Sequence, residues 1–136
     1  MQNCISCFQE IVRPIRYFAG APLGSGKQMM SWIHIDDLCA LFIRAIEHTE
    51  MRGVYNAVSP TPVSNKEMTY AIARTIGRPV LLPFVPGFIL NVLLGEMATI
   101  VLNGSIVSSK KTEASGFEFS FRDISSALQD LLSRDT

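Results

Sequence analysis

The sequence predicts an α/β domain, and two observations carry that reading. Short runs rich in Ile, Val and Phe alternate with helical stretches that bear an apolar stripe, the order expected of strands and helices layered on one another. The chain is also of one-domain length. Its 136 residues are 48% hydrophobic and only 18% charged, enough to bury roughly two-thirds of the surface that the unfolded form exposes.

Taken in order, residues 3–18 place Ile5, Phe8, Ile11, Val12, Ile15 and Phe18 at helical spacing, with a kink expected at Pro14. Gly20, Pro22, Gly24 and Gly26 then make a loop. Met29 to Ile35 reads as a strand. Asp36 or Asp37 caps a helix running to His48, whose Leu38, Leu41, Phe42, Ala45 and Ile46 form one apolar face. After a turn at Gly53, Val54 to Val58 reads as a second strand, and Ser59-Pro60-Thr61-Pro62 as a rigid loop. Ser64 with Glu67 three residues on is a capping box, opening a helix that Gly77 closes in the left-handed conformation. An extended, Pro-containing stretch leads into the apolar segment Val80 to Leu102, read as two short helices. A Val-rich piece around Ile106 and a short helix over Lys110 to Ser115 follow. Phe117 to Phe121 alternates as a third strand should, and Ile124 to Leu132 is an amphipathic C-terminal helix.

Composition excludes several classes of function. Twelve basic and twelve acidic side chains leave no net charge, and no basic run exceeds Lys110-Lys111, so nucleic acid is not an expected partner. Three cysteines make no disulfide framework, and the first ten residues carry no secretory signal, so a reduced, cytoplasmic protein is expected. Cys4-x-x-Cys7 follows no strand and has no companion ligands at zinc spacing; it reads as two small side chains on a helix. The apolar segment is long enough for a bilayer, but Pro83, Pro86, Asn91, Gly95 and Glu96 interrupt it and argue against a membrane span.

Three chemical motifs fail on inspection. Gly26-Lys27 lacks the upstream glycine and the following Ser or Thr of a phosphate loop. Gly24-x-Gly26 has Met29 where a dinucleotide fingerprint needs its third glycine, and it precedes a strand instead of following one. His34 with Ser31 and Asp36 lacks the nucleophile elbow of a hydrolase, and an ordinary hydrogen-bonded histidine is expected there.

One ordered set of residues does point to a family. Gly24-Ser25-Gly26-Lys27-Gln28, followed by Trp32-Ile33-His34-Ile35-Asp36-Asp37, resembles a block of the extended short-chain dehydrogenase/reductases, the group that holds nucleotide-sugar epimerases and dehydratases. Tyr55-Asn56 and then Ser64-x-x-Glu67 are similar to that group's next segment. Leu94-Gly95-Glu96-Met97 and Ala114-Ser115-Gly116-Phe117 resemble the C-terminal domain of its epimerase-like subfamily, so the likeness runs from about Phe18 to Leu132.

The resemblance implies a partial Rossmann-like fold: terminal strand–helix elements with a substrate-side α/β domain, and no N-terminal nucleotide-binding half. Residues 1–58 would hold the residual sheet elements and the substrate loop, residues 59–136 the C-terminal substrate-side domain, packed as one unit. The family uses NAD or NADP, with a glycine-rich turn and a Tyr-x-x-x-Lys pair. Neither is present here; Tyr70-x-x-x-Arg74 comes nearest, and an arginine does not tune as a proton donor. The chain alone is therefore expected to bind no cofactor and to be inert, with no catalytic or metal-binding residues.

Met30 stands where nucleotide-sugar members place an arginine for the substrate diphosphate, which puts that substrate in doubt. Gln28, Ser31 and Trp32 are the expected substrate contacts, beside an apolar face from Phe84, Phe88, Leu90 and Leu93. The alternative to a substrate-side fragment is a non-catalytic interaction module, self-associating through the surface that the nucleotide half would cover.

Overall fold

In the computed structural model, which describes residues 12–17, 20–94 and 103–134, helices dominate and a single short ribbon joins the two halves of the chain. Residues 12–16 are the described part of a first helix, α1. Strand β1 (Met29–Met30) leads to helix α2 (Ile35–Glu47). Strand β2 (Val63–Ser64) runs directly into α3 (Asn65–Thr75), followed by α4 (Gly87–Leu94), α5 (Lys110–Ala114) and α6 (Ile124–Arg134). β1 and β2 pair antiparallel, Met29 opposite Ser64 and Met30 opposite Val63. An isolated parallel bridge joins Leu23 to Val85.

The capping box opens α3 as its residues dictate. Ser64 Oγ accepts from the Glu67 amide at 3.2 Å, and the Glu67 carboxylate accepts from the Ser64 amide at 2.7 Å. The Ser64 amide first, and then the Ser64 hydroxyl donating to the same carboxylate at 2.8 Å, hold the Glu67 carboxyl below the usual carboxylate range. The helix closes at Gly77, at φ 64°, where the Arg78 amide reaches back to the Ala73 carbonyl at 2.9 Å.

Two apolar clusters make the core, and each draws on both sides of residue 58. The larger packs α3 on α6: Ile72 and Leu128 are fully buried, with Val12, Ile15, Val63 and Met68 around them. Met30, Trp32 and Ile124 cover its margin. The smaller joins Leu41 of α2 to Phe117 and Phe119, whose rings meet edge to face at 4.9 Å.

Several sequence expectations are corrected here. The strand read over Met29 to Ile35 is a strand only at Met29–Met30, and neither Val54 to Val58 nor Phe117 to Phe121 is one. Their pleated alternation is real: Phe117 and Phe119 are buried while Glu118 and Ser120 are exposed. A strand, however, exists only through a backbone ladder, and here side chains take the backbone groups instead. Thr112 Oγ1 donates to the Asn56 carbonyl at 2.8 Å, Lys111 Nζ to the Val54 carbonyl at 2.9 Å, and Asp37 accepts from the Ser120 and Phe121 amides at 2.8 and 2.9 Å.

That last use of Asp37 corrects the cap of α2 as well. Neither aspartate caps the helix; His34 does, its Nδ1 accepting from the Asp36 amide at 3.2 Å. The expected apolar face of α2 is also divided. Leu41 is buried and Leu38 half-buried, whereas Phe42, Ala45 and Ile46 lie exposed.

Cys4, Cys7, most of the 3–18 helix, and Gly95 to Met97 of the Leu-Gly-Glu-Met motif fall outside the described residues. No described helix is long and apolar enough to cross a membrane.

Because Asp37 is buried and satisfies two backbone donors, Asp37→Ala is expected to lower the unfolding free energy by about 3 kcal/mol. Asp36→Ala, at an exposed position, should cost less than about 1 kcal/mol. Urea denaturation of the two variants checks the difference.

Candidate functional site

The glycine loop that carries the family-like motif is built against the start of α3. Gly24 and Gly26 both adopt left-handed backbone, at φ 56° and 68°. A Cβ on Gly26 would also come within 3.1 Å of the Pro22 and Lys66 Cβ atoms. Asn65 is the fastener. Its Oδ1 accepts from the Leu23 amide at 2.7 Å, and its own amide donates to the Gln28 carbonyl at 2.9 Å. The Lys66 amide donates to the Gly26 carbonyl at 3.0 Å, so the loop runs across the first turn of α3. On the other side the Gly24 amide reaches the Val85 carbonyl, and the Val85 amide the Pro22 carbonyl.

This scaffold frames an open depression of about 430 Å³ lined by Pro22, Gly24, Ser25, Lys66, Tyr70, Pro83 and Phe84. One cation and two aromatic rings give it an amphipathic character. Of the downstream apolar residues expected to face a pocket, Phe84 lines this one; Phe88 is exposed on α4, and the side chains of Leu90 and Leu93 are outside the described set. A second depression of about 480 Å³ lies at the other end of α3, between Arg16, Tyr17, Thr75, Ile76, Arg78 and Leu132.

The three expected substrate contacts take separate partners. Gln28 Nε2 donates to the Leu23 carbonyl at 2.9 Å, bracing the loop from inside. Ser31 Oγ donates to the Ser105 carbonyl and accepts from the Val107 amide at 3.0 Å, tying 105–107 against the residues after β1. Next to that tie, Gly104 lies so close to Met29 that an added Cβ would overlap its backbone. The Trp32 indole donates to the Thr61 carbonyl at 2.7 Å while its ring packs on the larger core cluster. None of the three lines either depression. Asn65 and Lys66 are the residues that sequence reasoning passed over, and Tyr70 was weighed only as half of a catalytic pair. The available signal was a polar Asn at the first helical position, directly after a cap and downstream of two glycines.

The same loop does not fit a dinucleotide pyrophosphate. That role needs free amides at a helix N-terminus, but the Gly24 and Gly26 amides are already donated, to Val85 and Leu23. The loop leads into β1 instead of a helix.

A compact polar knot sits where α2 begins. His34 is buried and stacked on Phe121 at 3.8 Å, with Nε2 at 3.2 Å from Asp130 Oδ2 but off the axis of a hydrogen bond. Arg134 bridges Asp36 at 2.6 Å and Asp130 at 2.8 Å. His34, Asp36 and Asp130 stand close enough to share an ion, yet the Arg134 guanidinium already neutralises both carboxylates. The knot is a lock between α2 and α6.

The described elements correspond to part of a Rossmann-like epimerase fold. Residues 85–131 match the family model described as a domain of unknown function, DUF1731. The chain is 44% identical over 115 residues to a chloroplastic epimerase family protein SDR39U1 homolog of Arabidopsis thaliana, covering 85% of this chain and 33% of the relative. It is 37% identical over 122 residues to the epimerase family protein YfhF of Bacillus subtilis, covering 90% and 40%. Among solved structures, it superposes on the human epimerase family protein SDR39U1, crystallised with NADPH, at a TM-score of 0.86 and 30% identity, covering 93% of this chain and 43% of that one. A nucleoside-diphosphate sugar epimerase of Corynebacterium glutamicum gives a TM-score of 0.60 at 31% identity, covering 83% and 20%. These likenesses identify the chain as homologous to the C-terminal part of the epimerase family proteins, of whose length it spans well under half.

Removing the fastener should loosen the loop without unfolding the domain. Asn65→Ala is expected to cost about 1–3 kcal/mol and to speed hydrogen exchange at the Leu23 amide, while Asn65→Asp keeps the acceptor and the protection. The polar knot generates a pH prediction. The hydrogen bond from Arg134 holds the Asp36 carboxyl below its ordinary value near 3.8. A carboxyl lowered in the folded state adds stability above its unfolded pKa and loses it as pH falls through the folded value. Arg134→Gln should therefore flatten the stability decline below about pH 4, read by thermal melts from pH 6 to pH 2.

Proposed function

We propose that the chain is the substrate-side portion of an NADP-dependent epimerase-like oxidoreductase, one that exchanges hydride with a nicotinamide through groups this chain does not carry. The observation that supports it most is the close superposition on the human relative crystallised with NADPH. In this reading the chain binds and orients substrate. Gln28, Ser31 and Trp32 face the substrate side, where Gln28 braces the glycine loop, Ser31 the 105–107 segment and Trp32 the Thr61 stretch, and Lys66, Tyr70 and Phe84 rim the adjoining depression.

The substrate is a small molecule other than a diphosphate-linked sugar. Met30 occupies the position of the diphosphate-binding arginine, and its sulfur is turned inward, accepting from Asn65 Nδ2 at 3.7 Å. A thioether held there offers no charge to a phosphate. An oxidoreductase role fits this better than isomerisation of nucleotide sugars.

As a fragment of such an enzyme, the chain alone is inert, binds neither NAD nor NADP, and works in the cytoplasm. Residues 1–58 and 59–136 act as one packed unit, as the two shared core clusters favour. The exposed apolar side of α2 favours a second reading, a non-catalytic module that self-associates.

Incubating the purified chain with NADPH and a panel of carbonyl compounds is expected to give no turnover and no quench of nicotinamide fluorescence at micromolar protein. Turnover, or saturable cofactor binding, would refute the inert-fragment reading. Concentration-dependent light scattering addresses the second reading; a strict monomer at every concentration counts against it.

A further inference from the structure

The neutrality of the whole chain hides an uneven distribution of charge. Residues 11–35 and 54–95, which supply α1, the glycine loop, α3 and α4, carry Arg13, Arg16, Lys27, Lys66, Arg74 and Arg78 against the one carboxylate of Glu67. That carboxylate is spent, since it takes both the amide and the hydroxyl of Ser64, at 2.7 and 2.8 Å. Lys66 lines the depression beside the glycine loop, and among the described residues its ammonium meets no carboxylate. Around it, Tyr70 stands one turn further along the same face of α3, and Pro22, Pro83 and Phe84 close the apolar side. Ser25 Oγ accepts from the Lys27 amide at 3.3 Å and keeps its proton to donate. The hydrogen bonds of Gly24 with Val85 and of Val85 with Pro22, at 2.9 and 2.8 Å, clamp the two outer walls together, so their backbone is set before any ligand arrives.

We infer that this depression seats a small monocarboxylate with an apolar ring as its body, the carboxylate on Lys66 and the ring against Tyr70, Phe84 and the two prolines. The inference rests on the substrate-side role proposed above and names a substrate class for it. A phosphate fits the same place poorly. It needs several donors converging on it, but the amides of Gly24, Gly26 and Lys66 are already donated and no guanidinium lines the depression. A neutral ligand of the same shape would leave the ammonium without a counter-charge. A single carboxylate asks for one cation and one or two hydroxyl donors, which Lys66, Ser25 and Tyr70 supply together.

The test titrates the isotope-labelled chain at low salt with phenylpropionate, with its neutral amide and with inorganic phosphate, each followed by backbone amide shifts. The acid should shift the signals of Ser25, Lys66 and Tyr70 and saturate with a Kd of about 1 mM, the scale expected of a ligand of that size. The neutral amide and phosphate should each bind there at least about fivefold more weakly. Lys66→Gln, at an exposed position that the fold does not need, should raise the Kd for the acid about tenfold, and Lys66→Arg by less than about threefold. Lys27→Gln removes a cation of the same loop that does not line the depression, and should leave the Kd unchanged. Absence of saturation, equal binding of the neutral amide, tighter binding of phosphate, or a Kd that ignores Lys66→Gln overturns the inference. So does a response confined to Arg16, Tyr17 and Arg78, which would place the anion in the other depression. Binding is read without nicotinamide, so an acid seated on Lys66 in a protein that transfers no hydride counts against the proposed function alone. Hydride transfer to carbonyl compounds with no such seat counts against this inference alone.

Discussion

The carboxylate of Asp37 fixes the relation of α2 to everything that follows it. It is buried at the root of the helix and takes the amides of Ser120 and Phe121, residues 83 and 84 positions away. A charge so placed tolerates no substitute geometry: two well-aligned donors make it stable, and the loss of either leaves a desolvated anion. With residues 117–121 pinned in this way, Phe117 and Phe119 can meet Leu41, and Phe121 can cover His34. The Asp36–Arg134–Asp130 knot then sets α6 at the same corner, and α6 carries Leu128 to Ile72. The smaller core cluster and the larger one are thus registered by a single polar corner.

Around the candidate site the scaffold follows the same logic with neutral groups. Asn65 stands between the helix cap and the glycine loop: its Oδ1 holds the Leu23 amide, its backbone N–H the Gln28 carbonyl, and its Nδ2 the Met30 sulfur. The depression beside it inherits its shape from these bonds, so its walls are preformed by backbone closure more than by apolar packing. Such a surface suits orientation of a ligand whose reacting atoms meet other groups.

Local signals in the sequence translated well wherever they concerned nearest neighbours. Ser64 with Glu67, Gly77 at the close of α3, and the C-terminal amphipathic pattern all describe interactions within one turn, and all appear as read. The strands did not, since Val54 to Val58 and Phe117 to Phe121 show correct alternation but find side chains where a ladder partner was expected. His34 as the cap of α2 was hidden because the two aspartates beside it are better cap formers, and their diversion to Ser120, Phe121 and Arg134 is a long-range fact. In the site, the glycine loop and Gln28 were legible as a motif, whereas Lys66, Tyr70 and Phe84 meet only after β2 folds back on β1.

The ties that close this scaffold are long in sequence: Ser31 to Ser105 and Val107, and Asp37 to Ser120 and Phe121. Their donors and acceptors are far apart in time as well as in sequence when a chain is made from its N-terminus at roughly 5–20 residues per second. Helix α2 leaves the ribosome with only Ile33, Met51 and Ala57 near in sequence to cover Leu41, and Phe117 and Phe119 follow some seconds later. During that interval the helix gains from a chaperone, and a ribosome stalled before residue 117 would leave Leu41 covered only by Ile33, Met51 and Ala57.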